Sequence, residues 1–172
     1  MSTESHNSTN QDRSYERISP TAWYVAYFRT LSDIPFSQEI FLELQDIIKR
    51  TRSADESERF ENNMKLSRTI PMSFSIFTPY FEARFKIVSH LLKAHGINQI
   101  LEIAAGFSGR GLEMARYSSV EYVEFDLPGV IQEKKAIVKK LIAKSLVSNH
   151  PNLHFEYGNA LSPQDSQSYT FF

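Results

Sequence analysis

The spacing of apolar positions changes character several times along the chain. Residues 1–17, MSTESHNSTNQDRSYER, carry almost no apolar side chain, cannot offset the entropy of ordering, and are expected to form a disordered tail. At Ser19-Pro20 the pattern turns helical. Ser19 is placed to cap, Pro20 suits the first position, and Trp23, Tyr24, Tyr27 and Phe28 follow at helical spacing to about Thr30. Ser37 is placed to cap a second helix, with Ile40, Phe41, Leu44, Ile47 and Ile48 on one stripe and Phe36 and Phe41 set for a hydrophobic staple. Residues 51–63, TRSADESERFENN, are charged and nearly free of apolar side chains, so they read as an exposed helical turn or a linker. After the apolar run IPMSFSIFTPYF, Thr78 as cap and Pro79 at the first position predict another helix. It buries Phe81, Phe85, Val88, Leu91 and Leu92, and Gly96 ends it in the left-handed conformation.

From Asn98 onward short apolar runs alternate with amphipathic ones. QILEIA reads as a strand, SGRGLEMARYSS as a loop entering a short helix, and VEYVEFD as a second strand. Residues 129–148 read as a long helix burying Val130, Ile131, Ile137, Val138, Leu141, Ile142 and Leu146, and LHFEYG as a third strand. This β-α-β-α-β succession implies a parallel sheet with right-handed crossovers.

Composition narrows the function classes. The 172 residues hold 19 Lys+Arg against 20 Asp+Glu, and a net charge of −1 gives no broad electrostatic case for nucleic acid or an anionic membrane. With no Cys there is no disulfide framework, thiolate metal site or thiol nucleophile. No run of about 18 apolar residues occurs and the N-terminus has no apolar leader region, so the expected compartment is the cytoplasm. His90 and His95, like His150 and His154, lack the helical i, i+4 spacing of a metal pair and read as structural or surface groups. Lys134, Lys135, Lys139, Lys140 and Lys144 read as a solvated helix face.

Candidate chemistry gathers where three of the six glycines cluster. The loop after the first strand runs Glu102-Ile103-Ala104-Ala105-Gly106-Phe107-Ser108-Gly109-Arg110-Gly111, at the sheet edge where α/β folds bind ligands. A glycine there admits a ligand close to backbone N–H groups. Asp126, 20 positions beyond Gly106 at the end of the second strand, is placed to accept from both ribose hydroxyls of a nucleoside. Each such charge-assisted bond is worth roughly 1.5–3 kcal/mol. A dinucleotide loop wants G-x-G-x-x-G, but the chain offers Ala104-x-Gly106-x-x-Gly109. Glu102 would repel a pyrophosphate and suits a cationic sulfonium with its amino group, which favours S-adenosylmethionine over a nicotinamide dinucleotide. Blander readings stand beside these: Gly106 as a tight turn, Asp126 as a helix cap, Glu102 as an edge carboxylate. The Trp23 to Phe28 aromatics read as core or lid.

The segment ILEIAAGFSGRGLEMA followed by EYVEFDLPGVIQEKK resembles the leucine carboxyl methyltransferase and polyketide O-methyltransferase group of class I S-adenosylmethionine-dependent methyltransferases. Its carriers are the acidic-x-Ala/Gly-x-Gly loop, the Asp-Leu-Pro after the second strand, a Lys a few residues on, and the helix PYFEARFKIVSHLL. The likeness covers roughly residues 18–161. It implies an α/β fold: a Rossmann-like parallel sheet, first three strands only, with an N-terminal helical cap. The expected division is tail 1–17, helical cap 18–96 and partial cofactor-binding domain 97–172. The resemblance further implies that Gly106 and its neighbours, Glu102 and Ala104 among them, meet the methionine portion of S-adenosylmethionine. It gives the ribose to Asp126 and the cofactor carboxylate to Arg84, and puts Asn159 where the family often has an Asp near the adenine. The expected activity is O-methylation of a small-molecule or carboxylate acceptor. The family's sheet has seven strands, and QDSQSYTFF reads as the tail of a truncated gene product, so a non-catalytic remnant and a nicotinamide-dependent oxidoreductase fragment are the alternatives. A sheet edge left exposed would favour self-association.

Overall fold

The computed structural model describes residues 20–69 and 71–161. The expectations for the tail 1–17, for Ser19 as a cap and for the ending QDSQSYTFF lie outside the described residues. Four helices come first: α1 (Pro20–Arg29), α2 (Ser37–Thr51), α3 (Ala54–Thr69) and α4 (Pro71–Ala94). Then β1 (Gln99–Ile103), α5 (Arg110–Met114), β2 (Glu121–Asp126), α6 (Pro128–Ala143) and β3 (Leu153–Tyr157) alternate. The three strands form one parallel sheet in the order β1-β2-β3, as the alternation predicts.

Several local expectations are corrected. Ser37 is the first residue of α2 and not its cap: Phe36 holds the cap position at φ 62°, and the Ser37 hydroxyl donates to the Ile34 carbonyl at 2.8 Å. With Phe36 as the cap itself, the Phe36–Phe41 staple loses its geometry. The charged stretch 51–63 is no linker; most of it belongs to the 16-residue α3. Ser53 and Glu56 start that helix as a capping box, the Glu56 N–H donating to the Ser53 hydroxyl at 3.2 Å and the Ser53 N–H to the Glu56 carboxylate at 3.3 Å. Phe60 and Met64, one turn apart and buried, anchor it.

Thr78-Pro79 does not start a helix, because α4 begins at Pro71 and runs through Pro79. Proline gives up one backbone donor there without ending the element. Gly96, at φ 62°, ends α4 as expected, with the Ile97 N–H reaching back to the Leu92 carbonyl at 3.0 Å. Helix α6 stops at Ala143, where Ser145 turns left-handed at φ 56°, so Leu146 lies beyond the helix and is exposed.

Register pairs Glu102 of β1 with Glu124 of β2, and Glu124 with Phe155 of β3. Alternation then puts Ile100, Glu102, Tyr122 and Glu124 on one face. The helices cover that face: Ile100 and Tyr122 pack with Met114 and Leu92, and Gly111 and Lys134 close on Glu124. A larger apolar cluster joins α1, α2 and α3 to α6 through Trp23, Tyr27, Leu44, Phe60, Ile137 and Leu141. Glu43 of α2, with Lys140 of α6 and Lys144 just past its end, adds ion pairs at its rim.

Candidate functional site

Backbone geometry after β1 is specialised. Ala104 and Gly106 both adopt left-handed conformations, each at φ 55°, with the buried Ala105 between them donating its N–H to the Phe125 carbonyl at 3.3 Å. A non-glycine residue in that region is uncommon and marks a conformation held by its surroundings. Around Gly106 there is open space: an added Cβ would meet nothing within 4 Å. Farther along, the Ser108 hydroxyl accepts from the Arg110 N–H at 3.2 Å as α5 begins.

Asp126 closes the loop from the neighbouring strand. Its carboxylate accepts the Gly106 N–H and the Leu127 N–H, both at 2.7 Å. An ionised carboxylate has about four lone-pair positions, so two remain for a ligand. The Asp126 carbonyl accepts the Gly158 N–H at 3.0 Å, which brings the adjoining Asn159 to the same strand end. The Asn159 side-chain oxygen accepts the Leu161 N–H at 3.0 Å. Ala104, Gly106, Asp126 and Asn159 are thus gathered at the carboxyl ends of the three strands.

Glu102 is engaged from within the protein. It forms an ion pair with Arg110 and accepts the Tyr122 hydroxyl at 2.9 Å. Burial, reinforced by Glu102 and Glu124, holds the Tyr122 hydroxyl firmly protonated. The Arg110 guanidinium also lies over the Phe85 ring, 4.8 Å from its centroid.

Arg84 is exposed on α4, stacked on Tyr80 at 5.6 Å, and lies within the electrostatic reach of Arg29 on α1. Reading the sequence missed Arg29. Burial pulls its guanidinium down to about 10, with Glu102, Arg110 and Glu124 near enough to act on its charge. Among the described residues neither Arg29 nor Arg84 has a carboxylate within ion-pair distance. The available signal was its place one turn past Val25 and Ala26, at the end of an otherwise apolar helix.

Lys134 is a larger correction. Far from being solvated, it is buried against Glu124, the two side chains only 1% and 0% exposed. Burial pushes the Glu124 carboxyl up to about 7, against the pull of the Lys134 ammonium. Arg29 lies within electrostatic reach of Glu102, Arg110, Glu124 and Arg84.

A family model described as leucine carboxyl methyltransferase matches residues 31–155, well over half of the chain. The chain belongs to the leucine carboxyl methyltransferase family. No curated protein and no solved structure matches it. Members of the leucine carboxyl methyltransferase family are S-adenosylmethionine-dependent methyltransferases, and the α/β fold with its parallel sheet agrees with their Rossmann-like architecture. Residues 31–155 include the glycine loop, Asp126 and Arg84; Arg29 and Asn159 fall outside them. Among the described residues no helix is long and apolar enough to cross a membrane, and no three His, Asp or Glu residues are grouped to hold a metal ion.

Proposed function

We propose that this leucine carboxyl methyltransferase family member is a cytoplasmic enzyme that binds S-adenosylmethionine at the carboxyl ends of β1 and β2 and methylates an oxygen of a small-molecule acceptor. The observation that carries the reading is the contact between Gly106 and Asp126. It sets an acid with two free lone-pair positions beside an open, left-handed glycine, the arrangement a nucleoside with a charged tail requires.

The surrounding groups fit that cofactor. Asp126 would accept from the ribose hydroxyls, Asn159 would face the adenine, and Arg84 with Arg29 would hold the carboxylate of the methionine portion. Glu102 would act through Arg110 and Tyr122, which already occupy it, more than by direct contact. Bound S-adenosylmethionine supplies an electrophilic methyl group. The protein's part is orientation and exclusion of water. A carboxylate acceptor suits this reading because it has no proton to be removed.

Calorimetric titration with S-adenosylmethionine, S-adenosylhomocysteine and NAD tests the reading. Saturable binding of the two adenosyl ligands is expected. Binding of NAD alone would overturn it.

One observation favours a second reading, a non-catalytic module that associates through its sheet. Among the described residues β1 pairs only with β2, and Ile103 at its end is 57% exposed. A dimer in sedimentation equilibrium, abolished by Ile103→Lys, together with no ligand binding, would select it.

A further inference from the structure

Tyr122, Glu124 and Asp126 alternate along the helix-covered face of β2, so Glu124 stands one step behind the acid that holds Gly106. Three segments close on it. Lys134 comes from α6, which begins two residues after Asp126. Gly111 comes from α5, so close that a Cβ added there would strike the Glu124 carboxylate and lie 2.8 Å from Leu153. Glu102 is its register partner on β1. The pair therefore joins the far end of the glycine loop, the strand that carries Asp126 and the helix that follows it.

The geometry points to Glu124 as a positioning residue for the cofactor site: its buried contacts with Lys134 and Gly111 hold the loop at the distance from β2 at which the Gly106 N–H reaches Asp126. This inference rests on the function proposed above and adds a pH dependence to it. The charged or titratable groups facing Glu124 are Lys134 from α6, Glu102 from β1, Tyr122 from its own strand and Arg29 from α1, while β3 contributes the uncharged Leu153 and Phe155. Arg110 on α5 is drawn to Glu102. Taking up a proton removes a buried charge from Glu124, and because burial binds that proton more tightly in the closed site than in one opened to water, protonation favours the held loop. Burial brings that event close to neutral pH. The sign follows: the loop is held below about pH 7 and loosened above it.

The full chain, labelled with 15N, supplies a test without ligand. The amide shifts of Gly106, Gly109 and Gly111 should inflect near pH 7 and lose that inflection in Glu124→Gln and in the double variant Glu124→Gln/Lys134→Met. In parallel, S-adenosylhomocysteine should bind the wild type about tenfold more weakly at pH 8 than at pH 6, and bind the double variant with a flat profile. A part in folding alone would lower the melting temperature without moving these profiles. Flat wild-type glycine shifts, which need no variant to fold, would overturn the inference. So would an inflection that persists in the double variant, because it would then belong to a histidine. Ligand binding with a flat pH profile would sink this inference alone. Absence of binding at every pH, with the inflection intact, would sink the proposed function and leave the coupling of Glu124 to the loop supported.

Discussion

A methyl group added at Gly106 would meet nothing within 4 Å, whereas one added at Gly111 would run into Glu124 and Leu153, and one at Gly109 would come within 3.0 Å of Phe36 and closer still to the Pro35 carbonyl. The two ends of one glycine-rich segment therefore need glycine for different reasons. At residues 104–106 the requirement is conformational, a left-handed backbone that leaves space for a ligand. At residues 109–111 it is steric: α5 must lie against the α1–α2 connection on one side and the Glu124–Lys134 pair on the other. A cluster of glycines in a βα loop is thus two devices, one open and one packed.

The packed end should break hardest. Lys134→Met removes the cation paired with Glu124 and leaves a dry carboxylate, which should cost about 3–5 kcal/mol in chemical denaturation at pH 8.5. The sign against pH is fixed by linkage. A carboxyl whose folded pKa is raised binds its proton more tightly in the folded chain, so the penalty for ionising it is absent below the unfolded value and grows as pH rises through the folded one. The deficit should accordingly be smaller at pH 6 than at pH 8.5, and Glu124→Gln/Lys134→Met should recover most of it. A deficit independent of pH would show that Glu124 is not what Lys134 holds. Next in size, Gly111→Ala should destabilise by about 2–3 kcal/mol, since the buried carboxylate and Leu153 must both shift. An unchanged melting temperature would remove the steric half of the comparison.

How much of this could be read from the chain depends on what each signal measures. Periodicity located the three strands and the stripe of α2, because burial on one face leaves a repeat in the sequence. It failed at Lys134. A lysine among Lys135, Lys139 and Lys140 looks like one more solvated cation, and only the three-dimensional partner Glu124, ten residues earlier on β2, sets it apart. For α3 a helical turn was one of two readings and its full length was missed because its mean composition is polar, although the Ser53-x-x-Glu56 capping box was legible there. At Thr78-Pro79 the local start signal was real but outweighed by the apolar run before it, which continues as helix. Among the site residues, Gly106 and Asp126 were visible through strand spacing. Arg29 was not, because its meaning lies in its burial and in the field of Glu102, more than 70 residues away in the chain.

The open end should show its effect in binding more than in folding. Asp126→Ala should weaken S-adenosylhomocysteine by at least about tenfold, about 1.4 kcal/mol, since it removes one charge-assisted bond or more. Its melting temperature should fall less than that of Gly111→Ala, because the Gly106 and Leu127 N–H groups it releases lie in partly buried positions. An unchanged dissociation constant would take Asp126 out of the site.

The smallest effect sharpens the contrast most. Gly106→Ala places a methyl group in open space at φ 55°, so the penalty is conformational alone, about 1 kcal/mol. Ala104 already holds the same φ two residues earlier, which shows that this backbone accepts an alanine when its neighbours hold it. Gly106→Ala should therefore fold nearly as well as the wild type while binding S-adenosylhomocysteine more weakly, the methyl group standing where a ligand would approach. Gly111→Ala should show the reverse order, with the larger loss in unfolding free energy. Measuring both quantities for both variants decides the matter: equal losses of stability would mean that the loop is one packed turn throughout, and Gly106 would then have no claim to face a ligand.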